Sequence, residues 1–133
     1  MALKLTVKPG EKIYVGNAEI SVQCDAIVNV LVGGHAPILR SEDYLAESDV
    51  QTPAHKLQHV VQQMYLSDDI AAHHDAYFSA AQELLIVDPS CKDIIARTNS
   101  LLMQGAAYKA IKLIKTISNP ELSENRTQFK LVG

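Results

Sequence analysis

Leu3-Lys4-Leu5-Thr6-Val7-Lys8-Pro9-Gly10-Glu11-Lys12-Ile13-Tyr14-Val15-Gly16 places two alternating patterns on either side of a Pro-Gly break. Leu3, Leu5 and Val7 alternate with Lys4, Thr6 and Lys8, the period of two expected of a strand with one buried and one wet face. Beyond the break, Ile13 and Val15 alternate with Lys12 and Tyr14, and Gly16-Asn17 marks the next turn. Ala18, Ile20 and Val22 then alternate with Glu19 and Ser21, so the stretch predicts a three-strand meander. Ile27 to Val32 follows, almost continuously apolar and β-branched, which suits a central strand covered on both faces. Gly33-Gly34 ends it, and His35 to Arg40 predicts a short fifth strand that Pro37 places at an edge or a strand start.

From Ser41 the period changes. Ser41, followed by Glu42 and Asp43, reads as the cap of a short helix, because the helix dipole favours negative charge in the first turn. Thr52-Pro53 is a stronger start, and Leu57, Val60, Val61, Met64 and Tyr65 recur at helical spacing, predicting a helix from Pro53 to about Leu66. Ser67-Asp68-Asp69 caps the next, whose apolar positions include Ile70, Ala71, Tyr77, Phe78, Ala81, Leu84 and Leu85. Asp88-Pro89-Ser90 stops it and starts a third, carried by Ile94, Ile95, Thr98, Leu101 and Leu102. Gly105 signals a left-handed helix end, and Tyr108, Ile111, Leu113 and Ile114 form one more amphipathic segment. The fold class expected is α+β: a five-strand antiparallel β module over residues 1–44, followed by a helical region of four to five helices over 45–133. The two halves are expected to form one compact unit, with residues 119–133, polar and poor in apolar anchors, mobile or docked on a partner.

Length and composition bound the function. A chain of 133 residues, 47% apolar, can bury one core of ordinary size. No apolar run approaches the roughly 20 residues that span a bilayer, and the opening alternates where a signal peptide would run apolar, so a soluble cytoplasmic protein is expected. Cys24 and Cys91 lie far apart without metal-type spacing and are expected to be reduced thiols. The formal charge of −3 is unevenly spread: +1 over residues 1–40, −8 over 41–93 and +4 over 94–133. A nucleic acid could use either end and would be repelled by the middle.

Catalytic chemistry finds no support. No nucleophile stands with a base, no carboxylate pair marks a pocket, and Gly33-Gly34 lacks the lysine and hydroxyl of a phosphate loop. The reading is of a protein that is not an enzyme and has no cofactor. His55 and His59 are four apart on one helix face, but without a further ligand pattern they read as a polar face rather than a metal site. Lys109, Lys112 and Lys115 make a basic stripe opposite Ile111 and Ile114, open to two readings: a solvated face or phosphate contact. Lys4, Thr6 and Lys8 on one strand face, with Lys12 and with Arg40 closing the same sheet, pose the same choice, and an arginine adds bidentate phosphate or base-edge recognition.

Lys8-Pro9-Gly10-Glu11, Ala36-Pro37-Ile38-Leu39-Arg40, Thr52-Pro53-Ala54, Met64-Tyr65-Leu66 and Tyr108-Lys109-Ala110 recur in order in a way that resembles the flagellar biosynthesis repressor FlbT family. The resemblance runs from Met1 to about Ile117. It implies a cytoplasmic bacterial protein that represses flagellin synthesis after transcription by binding the 5′ untranslated region of flagellin mRNA, and a functional link to FlaF, a second small regulator.

Residues 5–16, the β-rich run from Ile20 to Val32, Ala36-Pro37 and Arg40-Ser41-Glu42 to Tyr44 are more distantly similar to the carbon storage regulator CsrA. That family forms an intertwined β dimer that binds RNA along paired strand edges. By position Lys8 matches a basic residue of its first strand and Arg40 the arginine before its small helix. Val7 departs, standing where that family has a further arginine, and the segment between Ala36-Pro37 and Arg40 is about four residues shorter. The expected RNA-binding set is therefore Lys4, Thr6, Lys8, Lys12 and Arg40, with Lys109 and Lys112 secondary. The expected partners are a flagellin mRNA leader, a FlaF-type regulator and a second copy of the chain through the β module. The rival class is a protein-binding adaptor whose acidic helical half docks FlaF, flagellin or an export component.

Overall fold

A computed structural model describes residues 2–118; the expectation for 119–133 lies outside them. Five strands, Ala2–Val7 (β1), Lys12–Val15 (β2), Ala18–Ser21 (β3), Val28–Gly33 (β4) and Ile38–Arg40 (β5), precede four helices: Pro53–Leu66 (α1), His74–Val87 (α2), Lys92–Met103 (α3) and Ala107–Ser118 (α4). The arrangement is α+β, with all strand pairings antiparallel. The described residues fall into two compact units: residues 2–44 with Leu66–Asp68, and Leu45–Tyr65 with the rest of the helices.

In the first unit the strands make two sheets rather than the expected meander. β1 pairs with β4, Leu5 opposite Val30, and β2 lies between β3 and β5 in the second sheet. The reason lies in the apolar faces. Side by side in one layer, β1 and β2 would leave their common apolar face uncovered; folded at Pro9-Gly10 into two layers, they press those faces together. Leu5, Val7 and Ile13 are buried there, ringed by half-buried Val15, Ile20, Val22, Val28, Val30, Val32 and Ile38. Gly10 has φ 81°, and Glu11 N–H donates to the Lys8 carbonyl at 3.1 Å to close the turn.

This layering also corrects the expectation for β4. Its valines face inward, whereas Asn29 and Leu31 are exposed, so the strand is covered on one face. Ser41 starts no helix either: Asp43 and Tyr44 N–H donate to the Arg40 and Ser41 carbonyls in a turn, and only Glu47–Asp49 makes a single 3₁₀ turn. The stretch offers only Ala46 and Val50 at helical spacing, too little apolar surface to hold a longer helix against a core.

The helical unit is held by apolar contacts and by embedded polar pairs. Thr52 caps α1, its hydroxyl accepting from His55 N–H at 3.1 Å, with Pro53 next. Gln62, fully buried on α1, accepts from Leu45 N–H at 2.7 Å and donates to the Leu45 carbonyl at 3.0 Å. The Tyr77 hydroxyl on α2 donates to Asn99 on α3, and Ser118 on α4 bonds Gln58 on α1. Asp88 accepts from Ser90 N–H at 3.1 Å, and the Cys91 thiol lies 3.3 Å from its other oxygen. α3 ends at Gly105, φ 75°, where Ala106 N–H reaches Leu101 O and Gly105 N–H reaches Leu102 O, the paired bonds of a Schellman end. Ala107, Ala110, Ile111 and Ile114 bury the inner face of α4.

Candidate nucleic-acid interface

Alternation along β1 sends Leu5 and Val7 into the core and leaves Lys4, Thr6 and Lys8 exposed on one outer face. Across the ladder, Lys4 faces Leu31 and Thr6 faces Asn29. Just past the last pair, Val7 with Val28, stand Lys8 and exposed Ile27. Thr6 Oγ1 donates to Asn29 Oδ1 at 3.1 Å.

The basic residues of this unit fall into two kinds. Arg40 is half-buried on β5, in the sheet that does not contain β1; its Nη1 donates to the Thr6 carbonyl at 3.1 Å and lies 3.6 Å from Glu11 Oε1. Glu11 Oε1 also accepts from Lys8 N–H at 3.2 Å. Arg40 therefore ties the two sheets at the Pro9-Gly10 turn. Lys12 pairs with Glu19 at 3.6 Å. Lys4 and Lys8 have no carboxylate partner among the described residues, so their charge is available to an external anion. The Tyr14 and Tyr44 rings stack with centroids 3.5 Å apart, and burial first, then Glu19, pushes the Tyr14 hydroxyl above its ordinary value.

Lys109 and Lys112 belong to the helical unit. Both are exposed on α4, and Lys112 Nζ stands 5.5 Å from the centre of the Tyr108 ring, a cation–π distance. His55 Nδ1 accepts from Gln51 N–H at 3.3 Å, and His59 lies 3.4 Å from the Gln63 amide. Among the described residues no group of three or more histidine, cysteine or acidic side chains is placed to hold a metal. Both cysteines are free thiols, Cys24 exposed and Cys91 buried. Among the same residues, no helix is long and apolar enough to cross a membrane.

Asn29, Leu31 and Ile27 were not among the residues expected at this face. The signal was present: valine at every second position, 28, 30 and 32, with an amide between the first two, is the period of a strand buried on one side only.

The family model described as "Flagellar protein FlbT" matches residues 3–123. The chain belongs to the FlbT family. It is 34% identical over 121 residues to the "Probable flagellum biosynthesis repressor protein FlbT" of Rhodopseudomonas palustris, covering 91% of this chain and 95% of the relative. It is 37% identical over 113 residues to "Probable flagellum biosynthesis repressor protein FlbT 1" of Bradyrhizobium diazoefficiens, covering 84% and 77%. The "Flagellum biosynthesis repressor protein FlbT" of Caulobacter vibrioides is 36% identical over 121 residues, covering 88% and 84%. No solved structure matches the chain. Membership in FlbT agrees with the order of motifs from Lys8 to Ala110.

Proposed function

We propose that this protein regulates flagellin synthesis after transcription, binding the 5′ untranslated leader of flagellin mRNA and repressing translation or promoting decay. The observation that carries the reading is the outer face of β1, where Lys4 and Lys8 stand exposed without carboxylate partners in a chain whose relatives are named flagellum biosynthesis repressors. Lysines so placed displace counterions from a polyanion, and each phosphate contact to a single strand adds about 0.7 to the salt slope. Lys12 and Arg40 add contacts by exchanging their 3.6 Å pairings with Glu19 and Glu11 for a phosphate; Lys109 and Lys112 supply secondary contacts. Two copies of the chain join through the β module, using strand edges that have no partner within the described sheets.

The test is a salt titration of binding to a flagellin leader, with Lys8→Ala and Arg40→Ala expected to lower both affinity and slope. Unchanged binding by both variants would refute the site, and sedimentation as a monomer at micromolar concentration would refute the dimer. A second reading, an adaptor that docks FlaF or flagellin and acts on RNA indirectly, draws on the charge of −8 over residues 41–93 and on exposed Phe78 and Ile86, eight residues apart on α2. Recovery of a stoichiometric protein partner from nuclease-treated lysate, with no crosslink from pure protein to leader RNA, would favour it.

A further inference from the structure

We infer that the outer face of the β1–β4 ribbon seats unpaired nucleobases: Asn29 donates to base acceptors and Leu31 and Ile27 pack against base rings, between phosphates held by Lys4 and Lys8. This rests on the RNA-binding reading above and names the surface and the part of the RNA it takes.

The face has a repeating plan. Lys4 stands opposite Leu31, which is 71% exposed, Thr6 and Asn29 are joined next along the ladder, and Lys8 and Ile27, the latter 62% exposed, follow just past its last pair. Leu31 and Ile27 stay open while Val28, Val30 and Val32 turn inward, and Leu31 has a cation, Lys4, as its cross-strand neighbour. A nucleotide offers both complements at once, a phosphate for the ammonium and a ring face for the aliphatic side chain. Asn29 supplies the polar element. Its Oδ1 is occupied by the Thr6 hydroxyl, while its amide nitrogen has no hydrogen-bond partner among the described residues, leaving two donors for a base carbonyl or ring nitrogen.

Geometry favours a single strand. The ribbon is two strands wide, about 5 Å between them, which is too narrow to follow both backbones of a duplex. Lys4 and Lys8 are four residues apart, about 13 Å along a strand, enough to hold the phosphates on either side of a short run of bases. A second copy of the chain fits the face poorly. Six side chains fall well short of the roughly 20–30 residues a stable interface uses on each side, and stacking two such faces would confine four lysines in one desolvated layer.

The test uses the full chain and an unstructured RNA of about 20 nucleotides carrying 4-thiouridine, read by anisotropy and by mass-spectrometric mapping of ultraviolet crosslinks. Crosslinks are expected on the peptides holding Asn29 and Leu31. N29A and L31S are each expected to weaken binding about fivefold with the salt slope unchanged, whereas K4A and K8A lower the slope. All four positions are exposed, and thermal melts confirm that each variant is folded. Wild-type binding with unaltered affinity in both N29A and L31S, and crosslinks elsewhere, would overturn the face and leave RNA binding standing. No RNA binding by the wild type would overturn both. A change in sedimentation, without a change in RNA affinity, for L31S would show the face to be a self-association surface and overturn the assignment.

Discussion

The β module and the helical region are held together in different ways. In the module, two thin sheets meet over Leu5, Val7 and Ile13, with a rim of half-buried aliphatics, and Asp43 is the buried charged side chain among the module's described residues. In the helical region, buried Gln58, Gln62 and Thr98 sit among the apolar residues, each with a hydrogen-bond partner. A small apolar seam depends on every side chain in it; a core with polar pairs depends on their hydrogen-bond geometry as well. Their basic surfaces differ in parallel. Lys4 stands across the ladder from exposed Leu31, whereas Lys112 leans over the ring of Tyr108.

Removing one side chain from the seam should produce the largest effect. Ile13→Ala, at a fully buried position, should cost about 2–5 kcal/mol in urea unfolding, with RNA binding lost alongside. A loss below 1 kcal/mol would mean the module does not rest on this contact.

Alkaline pH should separate the two regions next. Burial, then Asp88, pushes the Cys91 thiol up to about 11, and burial pushes the Tyr77 hydroxyl to about 12. Both groups are held neutral by the fold. Their contribution is therefore fully present below their ordinary values and lost as pH rises through about 11 and about 12. Helical circular dichroism should decline progressively above pH ~9, and Tyr77→Phe should flatten the upper part of that decline. An unchanged profile in that variant would remove Tyr77 from the account.

Smaller effects test the two lysine surfaces. Lys4→Ala with Lys8→Ala should weaken RNA binding about tenfold at moderate salt and lower the salt slope by about 1.4. Lys109→Ala with Lys112→Ala should change affinity less than about threefold, consistent with secondary contacts. Reversal of that order would move the main RNA surface to α4.

The elements were legible where their signals are local. Thr52-Pro53 gave the start of α1 at the residue where it begins, and Gly105 gave the end of α3, because a cap acts within one turn of the chain. Sheet pairing was not legible in the same way. β1 and β4 are separated by 20 residues, and the alternation that defines each strand says which face is apolar without saying which strand lies beside it. The candidate site divides on the same line. Lys4, Thr6 and Lys8 could be placed on one face from their spacing; the tie from Arg40 to Thr6 and the cross-strand places of Asn29 and Leu31 depend on that pairing.

Leu66–Asp68 form part of the compact unit built on residues 2–44, although some 20 residues of chain intervene. A Cβ added at Gly16 would come within 3.9 Å of the Leu66 carbonyl. The β module is thus not a contiguous cassette. A gene fragment ending at Tyr44 would leave three of its residues behind, so recombination that shuffles uninterrupted segments could not transplant this module whole without carrying α1 along with it.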